Sequence, residues 1–419
     1  MNKYNTIFQP AEILLPTQSH DPGFMRRYAV IACDQHTSEP EYWRSCREMI
    51  GGAMSAYDYI LPEAYLGTPD EAAQSAHIAE MMKSFRKTSD QMKTIDGFIY
   101  VERTLPDGTV RHGLVGCVDL EKYDYSVGSV SPIRATEATV LERIPPRCRI
   151  RSEAVIELPH ILILIDGGDI FEKLLSEKEA SELEMEYDFD LMLGGGHITG
   201  YSVCGAALSS VMERISDYEE SRTGVIYAMG DGNHSLAAAR AHWENVKRDT
   251  GDMEHPARYA LCEITAVEDS SLVFHPIYRI VKSCDPDDVL NSLRGIAEIS
   301  DKPICDESGR QTFTAVVGEL NYYCAFTSPT HALTVGSLQN FIDAYLKNHP
   351  SASCDYIHGE DTVRKLASEP GCIGFLMAGM DKSELFPYVE KHGILPRKTF
   401  SMGEADSKRF YLEARMIVK

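Results

Sequence analysis

Residues 225–246, VIYAMGDGNHSLAAARAHWENV, constrain the fold more than any other part of this chain. An apolar run over 225–228 stops at Gly230-Asp231-Gly232-Asn233-His234-Ser235, and an alanine-rich helical pattern begins at Leu236. A buried strand feeding a glycine turn that opens onto a helix aims backbone N–H groups and the positive end of the helix dipole at one point. Asp231, Asn233, His234 and Ser235 set an acid, an amide, an imidazole and a hydroxyl around that point. The pattern predicts a site for an anion, phosphate above all. Asp231 suits a general base or a Mg2+ ligand, and Gly232 lets a ligand approach the backbone. His234 suits a proton shuttle or a contact to phosphoryl oxygens. The plainer alternative is a polar turn in which Asn233 or Ser235 caps the helix.

Four further segments are candidates for the same chemistry. In LMLGGGHITG, residues 191–200, Gly194, Gly195 and Gly196 remove side-chain bulk, and their N–H groups can form an anion nest. No Lys-Ser or Lys-Thr follows, so this is not a P-loop, and His197 is either ligand-facing or a satisfied loop histidine. In residues 131–143, Arg134, Thr139 and Arg143 can bind phosphate or carboxylate, with Glu137 as base or orienting group. A surface helix with ordinary ion pairs is the alternative there. Asp34 and Gln35 follow an apolar run and read as substrate contacts, whereas Cys33 reads as a small buried hydrophobe. Asp166, between an apolar run and two glycines, is a turn aspartate or a second carboxylate for Mg2+.

At 419 residues the chain is long for one core, and two domains are expected, 1–252 bearing the site and 253–419 bracing or capping it. Strand and helix signals alternate irregularly, and Pro106-Asp107-Gly108 marks a hairpin between apolar runs. The order favours an α+β fold, with a mixed sheet in the N-terminal domain and a smaller α+β C-terminal domain. Residues 170–186 read as an acidic helix, 191–200 as a loop, and Pro145-Pro146 as the end of a helix over 135–142. Lys plus Arg number 41 against 63 Asp plus Glu, a formal charge of −22 that repels a nucleic-acid backbone. Eleven cysteines without a CxxC pair argue for reduced thiols and against zinc. With no signal-peptide pattern and no apolar run long enough to span a bilayer, a soluble cytoplasmic protein is expected. Oligomeric state is left open.

The DGNHS turn resembles the D-G-H-x-R type turn of the ParB/sulfiredoxin superfamily, which includes a free-serine kinase and binds nucleotide phosphates there. Ser235 stands where those relatives usually carry Arg, which removes one phosphate contact. The chain as a whole resembles a bacterial family known as domain of unknown function 1015. The resemblance rests on YAVIACDQHTSEPEYW (28–43), RATEATVLERIP (134–145), LMLGGGHITGY (191–201) and DGNHS, and runs from about residue 13 to LPRKTFSM. The superfamily resemblance implies a ParB/sulfiredoxin-like N-terminal domain and a nucleotide-dependent kinase, using ATP or ADP with Mg2+. It points to a free hydroxy amino acid such as serine as substrate. A phosphatase or hydrolase of a small phosphorylated metabolite is the alternative enzyme, and a metabolite-binding regulator without turnover the alternative class.

Overall fold

Alternation along the longest strands explains the architecture. In Met92–Thr104, Phe98 and Tyr100 enter one apolar cluster while Ile99 and Val101 enter another. In Val110–Asp119, Leu114 joins the first cluster and Val115 and Cys117 the second. Successive side chains on a strand point to opposite faces, so a strand apolar in both phases is covered on both sides. The two strands form the expected hairpin, with Thr104 opposite Val110. Asp107 accepts hydrogen bonds from the Thr109 N–H at 2.9 Å and the Thr109 hydroxyl at 2.7 Å inside the turn.

A computed structural model describes residues 5–419 except 88, 168, 180–181 and 305–308, and leaves aside the side chains of 86, 89, 143 and 146. The fold is α+β, with a large mixed sheet and a separate antiparallel sheet. Across the large sheet the order is Glu184–Asp190, His197–Val203, Met92–Thr104, Val110–Asp119, Tyr259–Ala266, Leu162–Ile165, Tyr227–Asp231, Ile133–Arg134 and Tyr123–Asp124. Tyr259–Ala266 runs parallel to Leu162–Ile165, which runs antiparallel to Tyr227–Asp231. Among the described residues, no helix is long and apolar enough to cross a membrane.

The chain divides into two units: Met1–Leu272 with Phe386–Gly393 and Gly403–Lys419, and Val273–Leu385 with Ile394–Met402. The division falls after Leu272, not after 252, because Tyr259–Ala266 lies in the middle of the large sheet. The C-terminal segment also belongs to the first unit. There Phe410–Tyr411 pairs with Val30–Ile31, and Arg415–Met416 with Ile156–Glu157. The second unit is built on the antiparallel sheet, in which Thr312–Val317 and Leu320–Phe326 form a hairpin. Helix Thr334–Asn348 shares its apolar cluster through Leu338, Ile342 and Tyr345.

Three local expectations are corrected. The acidic helix is present over Asp169–Glu179, but Glu184–Asp190 is a strand, with Glu186, Tyr187 and Phe189 buried and Glu184, Asp188 and Asp190 outward. His197–Val203 is likewise a strand, paired with Met92–Thr104. Pro145 and Pro146 sit in the first turn of helix Ile144–Glu153, where a missing N–H costs no intrahelical bond, so they open a helix instead of closing one.

Helix Asn233–Thr250 packs Leu236, Ala239 and Trp243 into the first apolar cluster and buries His242. Burial, with Arg151 and His255 nearby, pushes the His242 imidazole down from 6.5 to about 4. The folded state therefore holds it neutral, while the unfolded state takes up a proton below 6.5. Its contribution to stability is complete above pH 6.5 and is lost as pH falls toward 4. His242→Gln should flatten the fall in melting temperature between pH 6.5 and 4. A fall as steep as in the natural sequence would contradict this origin.

Candidate functional site

Strand Tyr227–Asp231 carries an irregularity between Met229 and Asp231, after which Asp231 pairs with Leu162. Gly232 follows in the left-handed region at φ 74°, and a Cβ there would lie 3.0 Å from the Ile161 Cα. Both the backbone conformation and the contact require glycine. Helix Asn233–Thr250 then begins with no side-chain cap. The Ser235 and Leu236 N–H groups bond to the Gly232 carbonyl, both at 3.0 Å.

The residues that would have capped a plain turn are used otherwise. Asn233 donates through Nδ2 to the Glu137 carbonyl and to Thr139 Oγ1, both at 3.2 Å, and its Oδ1 accepts from the Tyr123 hydroxyl at 3.4 Å. His234 Nε2 accepts the Val140 N–H at 3.1 Å. These bonds staple residues 137–140 over the turn, so Glu137 and Thr139 come to the site beside Asn233. Ser235 turns inward, with Oγ 3.5 Å from His160 Nε2.

Charged groups converge from three distant parts of the sequence. Lys408 Nζ lies 3.2 Å from Asp231 Oδ2. Asp34 Oδ2 lies 3.7 Å from His160 Nε2, and its Oδ1 accepts from Gln35 Nε2 at 3.0 Å. Burial opposes ionisation of Asp34, but His160, Gln35 and Lys408 together outweigh it and hold the carboxyl below its usual value. Asp34 is therefore a carboxylate at neutral pH.

His160 is oriented from behind by the Tyr411 hydroxyl, 2.7 Å from Nδ1. That hydroxyl accepts the Cys33 N–H at 3.3 Å and points to Cys33 Sγ at 3.1 Å. The hydroxyl thus ties His160 to Cys33, and the other ring nitrogen, Nε2, faces Ser235 and Asp34. Burial and the neighbouring Asp34 push the Cys33 thiol up to about 12, and burial beside Cys33 and Asp34 raises Tyr411 well above its ordinary value. Cys33 is a thiol at neutral pH, not a nucleophile.

Several predicted residues lie elsewhere. Because Leu162–Ile165 and Tyr227–Asp231 are antiparallel, Asp166 sits four residues past the partner of Asp231, about 13 Å along the strand. Its Oδ2 is 2.8 Å from Arg222 Nη1, so Asp166 and Asp231 cannot share one metal ion. Arg134 is buried and donates to the Ser131 carbonyl at 2.8 Å, with Glu390 Oε2 3.4 Å away. It anchors Phe386–Gly393 instead of facing the turn. His197 stands between Asp188 and Asp190, at 2.6 and 2.9 Å, on a strand five strands away from Tyr227–Asp231. Burial opposes its charge, but hydrogen bonds to the two carboxylates prevail and raise its pKa. The side chain of Arg143 lies outside the described residues.

Gly195 and Gly196 serve packing at that same distant strand, while Gly194, at φ 79°, has open space where a Cβ would stand. The Gly195 N–H bonds to the Met192 carbonyl, and a Cβ at Gly195 would lie 2.7 Å from the Phe410 ring. A Cβ at Gly196, at φ 84°, would lie 2.2 Å from the Thr104 carbonyl oxygen. Gly196→Ala should therefore destabilise the protein by roughly 1–3 kcal/mol in urea denaturation. Ligand affinity at the Asp231 turn should stay the same. Lost affinity with unchanged stability would restore the nest reading.

His160, Lys408 and Tyr411 escape the sequence reading. His160 precedes the aliphatic run of Leu162–Ile165 and offers a weak signal as a polar residue at a strand entrance. Lys408 and Tyr411 offer none, being far along the chain from every motif they meet. A cavity of about 240 Å3 opens beside Ser235, His160, Cys33 and Tyr411.

The profile of a family described as "Protein of unknown function (DUF1015)" matches residues 14–345. No curated protein matches the chain. Among solved structures, the chain is similar to a free serine kinase variant in complex with ADP, at 12% identity and a TM-score of 0.38, over 71% of this chain and 93% of that one. It is similar to SbnI with C-terminal truncation from Staphylococcus aureus, at 10% identity and a TM-score of 0.38, over 71% and 85%. A conserved hypothetical protein from Pyrococcus furiosus aligns at 12% identity and a TM-score of 0.35, over 71% and 96%.

Proposed function

Taking as premise that the chain belongs to the DUF1015 protein family, a membership that specifies no reaction, we propose that it is a kinase moving the terminal phosphoryl group of a nucleotide to a small hydroxyl compound. The observation that carries this reading is the Asp231–Lys408 pair at the uncapped start of helix Asn233–Thr250, with the Asp34–His160 pair beside it. A helix N-terminus with an adjacent ammonium favours phosphate oxygens. An imidazole and a carboxylate next to it supply the base. Gly232 belongs to a ParB/sulfiredoxin-like phosphate turn in this reading, and the superfamily resemblance points to ATP or ADP as nucleotide.

In the proposed step the acceptor oxygen attacks the terminal phosphorus. The new O–P bond forms as the bridging P–O bond breaks, releasing ADP from ATP or AMP from ADP, and the hydroxyl proton passes to His160 Nε2. Asp34 stabilises the resulting imidazolium, and Lys408 stabilises charge on the phosphoryl oxygens. Asp231 positions Lys408.

The described residues do not fit a resident metal ion. No group of three His, Cys, Asp or Glu among them could hold one, and Asp231 already faces an ammonium. A magnesium ion would arrive with the nucleotide, held mainly by phosphate oxygens.

One observation favours a second reading. Ser235 Oγ at 3.5 Å from His160 Nε2 is a hydroxyl next to a base, an arrangement that also suits a phosphatase with a serine nucleophile. The two separate on one experiment, incubation of the full chain with hydroxy compounds, serine included, and ATP and Mg2+, followed by 31P NMR. The kinase reading expects a phosphate ester that forms only with ATP. Release of inorganic phosphate from phosphorylated metabolites without nucleotide would replace it with the phosphatase.

A further inference from the structure

The cavity beside Ser235 and His160 has a composition that the phosphate chemistry does not explain. Its walls include Ile60, Leu61, Ile78, Met82, Ile150 and Ala238, all aliphatic or thioether. The charged residues along it are paired with one another, Arg147 with Glu63 and Arg151 with Glu157. The polar groups Cys33, His160, Ser235 and Tyr411 also line it, whereas Asp231, Gly232 and Lys408 do not. It therefore adjoins the base side of the site and not the phosphate side. Ala238 stands one helical turn after Ser235, so the same helix carries the hydroxyl and part of the apolar wall.

We propose that this cavity holds the apolar body of the phosphoryl acceptor, an alcohol or hydroxy compound whose hydroxyl reaches His160 and Ser235. The inference rests on the kinase reading for the word acceptor, but the cavity and its lining stand without it. Free serine is a poor occupant, because its ammonium and carboxylate would lose water against Ile, Leu and Met side chains. A nucleobase would bring ring nitrogens and an amino group to the same aliphatic walls. A hydrocarbon body loses nothing there and gains about four-fold in affinity for each methylene buried. The cavity of about 240 Å3 has room for about eight heavy atoms at roughly 30 Å3 each.

The test uses the full chain and straight primary alcohols from ethanol to decanol, with dissociation constants from ligand-observed NMR, and separately ADP with Mg2+. Affinity is expected to rise about four-fold per methylene and to level off near octanol. Ala238→Phe should abolish that rise while leaving ADP affinity unchanged. Ile150→Trp, at a position 49% exposed and so tolerant of a larger side chain, should shorten the longest alcohol accepted. Flat chain-length dependence with ADP binding intact overturns this inference and leaves the kinase reading standing. Loss of ADP binding in folded Ala238→Phe overturns it in favour of a nucleobase pocket. A steep chain-length dependence in a protein that binds no nucleotide sustains the apolar pocket and overturns the kinase reading.

Discussion

Asp231→Asn is expected to lower ATP-dependent phosphoryl transfer at least about 100-fold while leaving the fold intact. Asparagine keeps the shape of the side chain and an oxygen for the Gly232 N–H, which now bonds to Asp231 Oδ1 at 2.8 Å. It removes the charge that holds Lys408 at 3.2 Å. Without it the ammonium is free to leave the start of helix Asn233–Thr250, and the phosphoryl oxygens lose their positioned cation. The pair is partly exposed, so its removal should change stability by no more than about 1 kcal/mol. Lys408→Met should act in the same direction, and the double variant should be no worse than the poorer single one, since both remove one device. Kinetics read alongside thermal melting checks this. Full activity in folded Asp231→Asn would remove Asp231 from the mechanism.

Arg409→Met should cost about 3–5 kcal/mol of stability, the largest single loss expected from a residue that touches no ligand. Arg409 is buried, with Nε 2.7 Å from Glu263 Oε2, Nη2 2.6 Å from Glu413 Oε2, and Nη1 donating to the Pro159 carbonyl. Burial opposes its charge, but Glu413 and Glu263 keep the guanidinium protonated. Methionine would leave buried Glu413 without its cation, Glu263 with only Arg111 at 3.5 Å, and a carbonyl without its donor. Arg409→Lys should recover only part of the loss, because one ammonium cannot reproduce three hydrogen bonds made in a fork. The same residue fixes the chain between Lys408 and Tyr411, so activity should fall with stability. Urea denaturation at pH 7 gives the number, and a loss below about 1 kcal/mol would contradict the account of this network.

Much of this arrangement is local enough to read from the chain. The strand, turn and helix around Asp231, the hairpin at Asp107-Gly108 and the polar end of the segment at Asp34 all rest on residues adjacent in sequence. Strand direction does not. Asp166 and Asp231 each end an apolar run before a glycine, and only the antiparallel register puts them at opposite ends of the sheet. A run of three glycines carries the same signature whether the close neighbour is a phosphate or, as here for Gly195 and Gly196, the Phe410 ring and the Thr104 carbonyl. Arg134 looked like an anion ligand because a guanidinium suits any carboxylate, and the one it meets is Glu390. Lys408, Arg409 and Tyr411 reach the site because the C-terminal segment returns to the first unit, a long-range pairing that leaves no trace in local pattern.

The most direct test of the central claim is calorimetric titration of ADP with Mg2+ into the full chain and into Lys408→Met. The account predicts saturable binding to the natural sequence, weakened at least about ten-fold by the substitution, as expected when a phosphate loses a charge-assisted contact worth about 1.5–3 kcal/mol. Absence of ADP binding, or equal affinity in both proteins, would contradict a nucleotide phosphate site at the Asp231 turn.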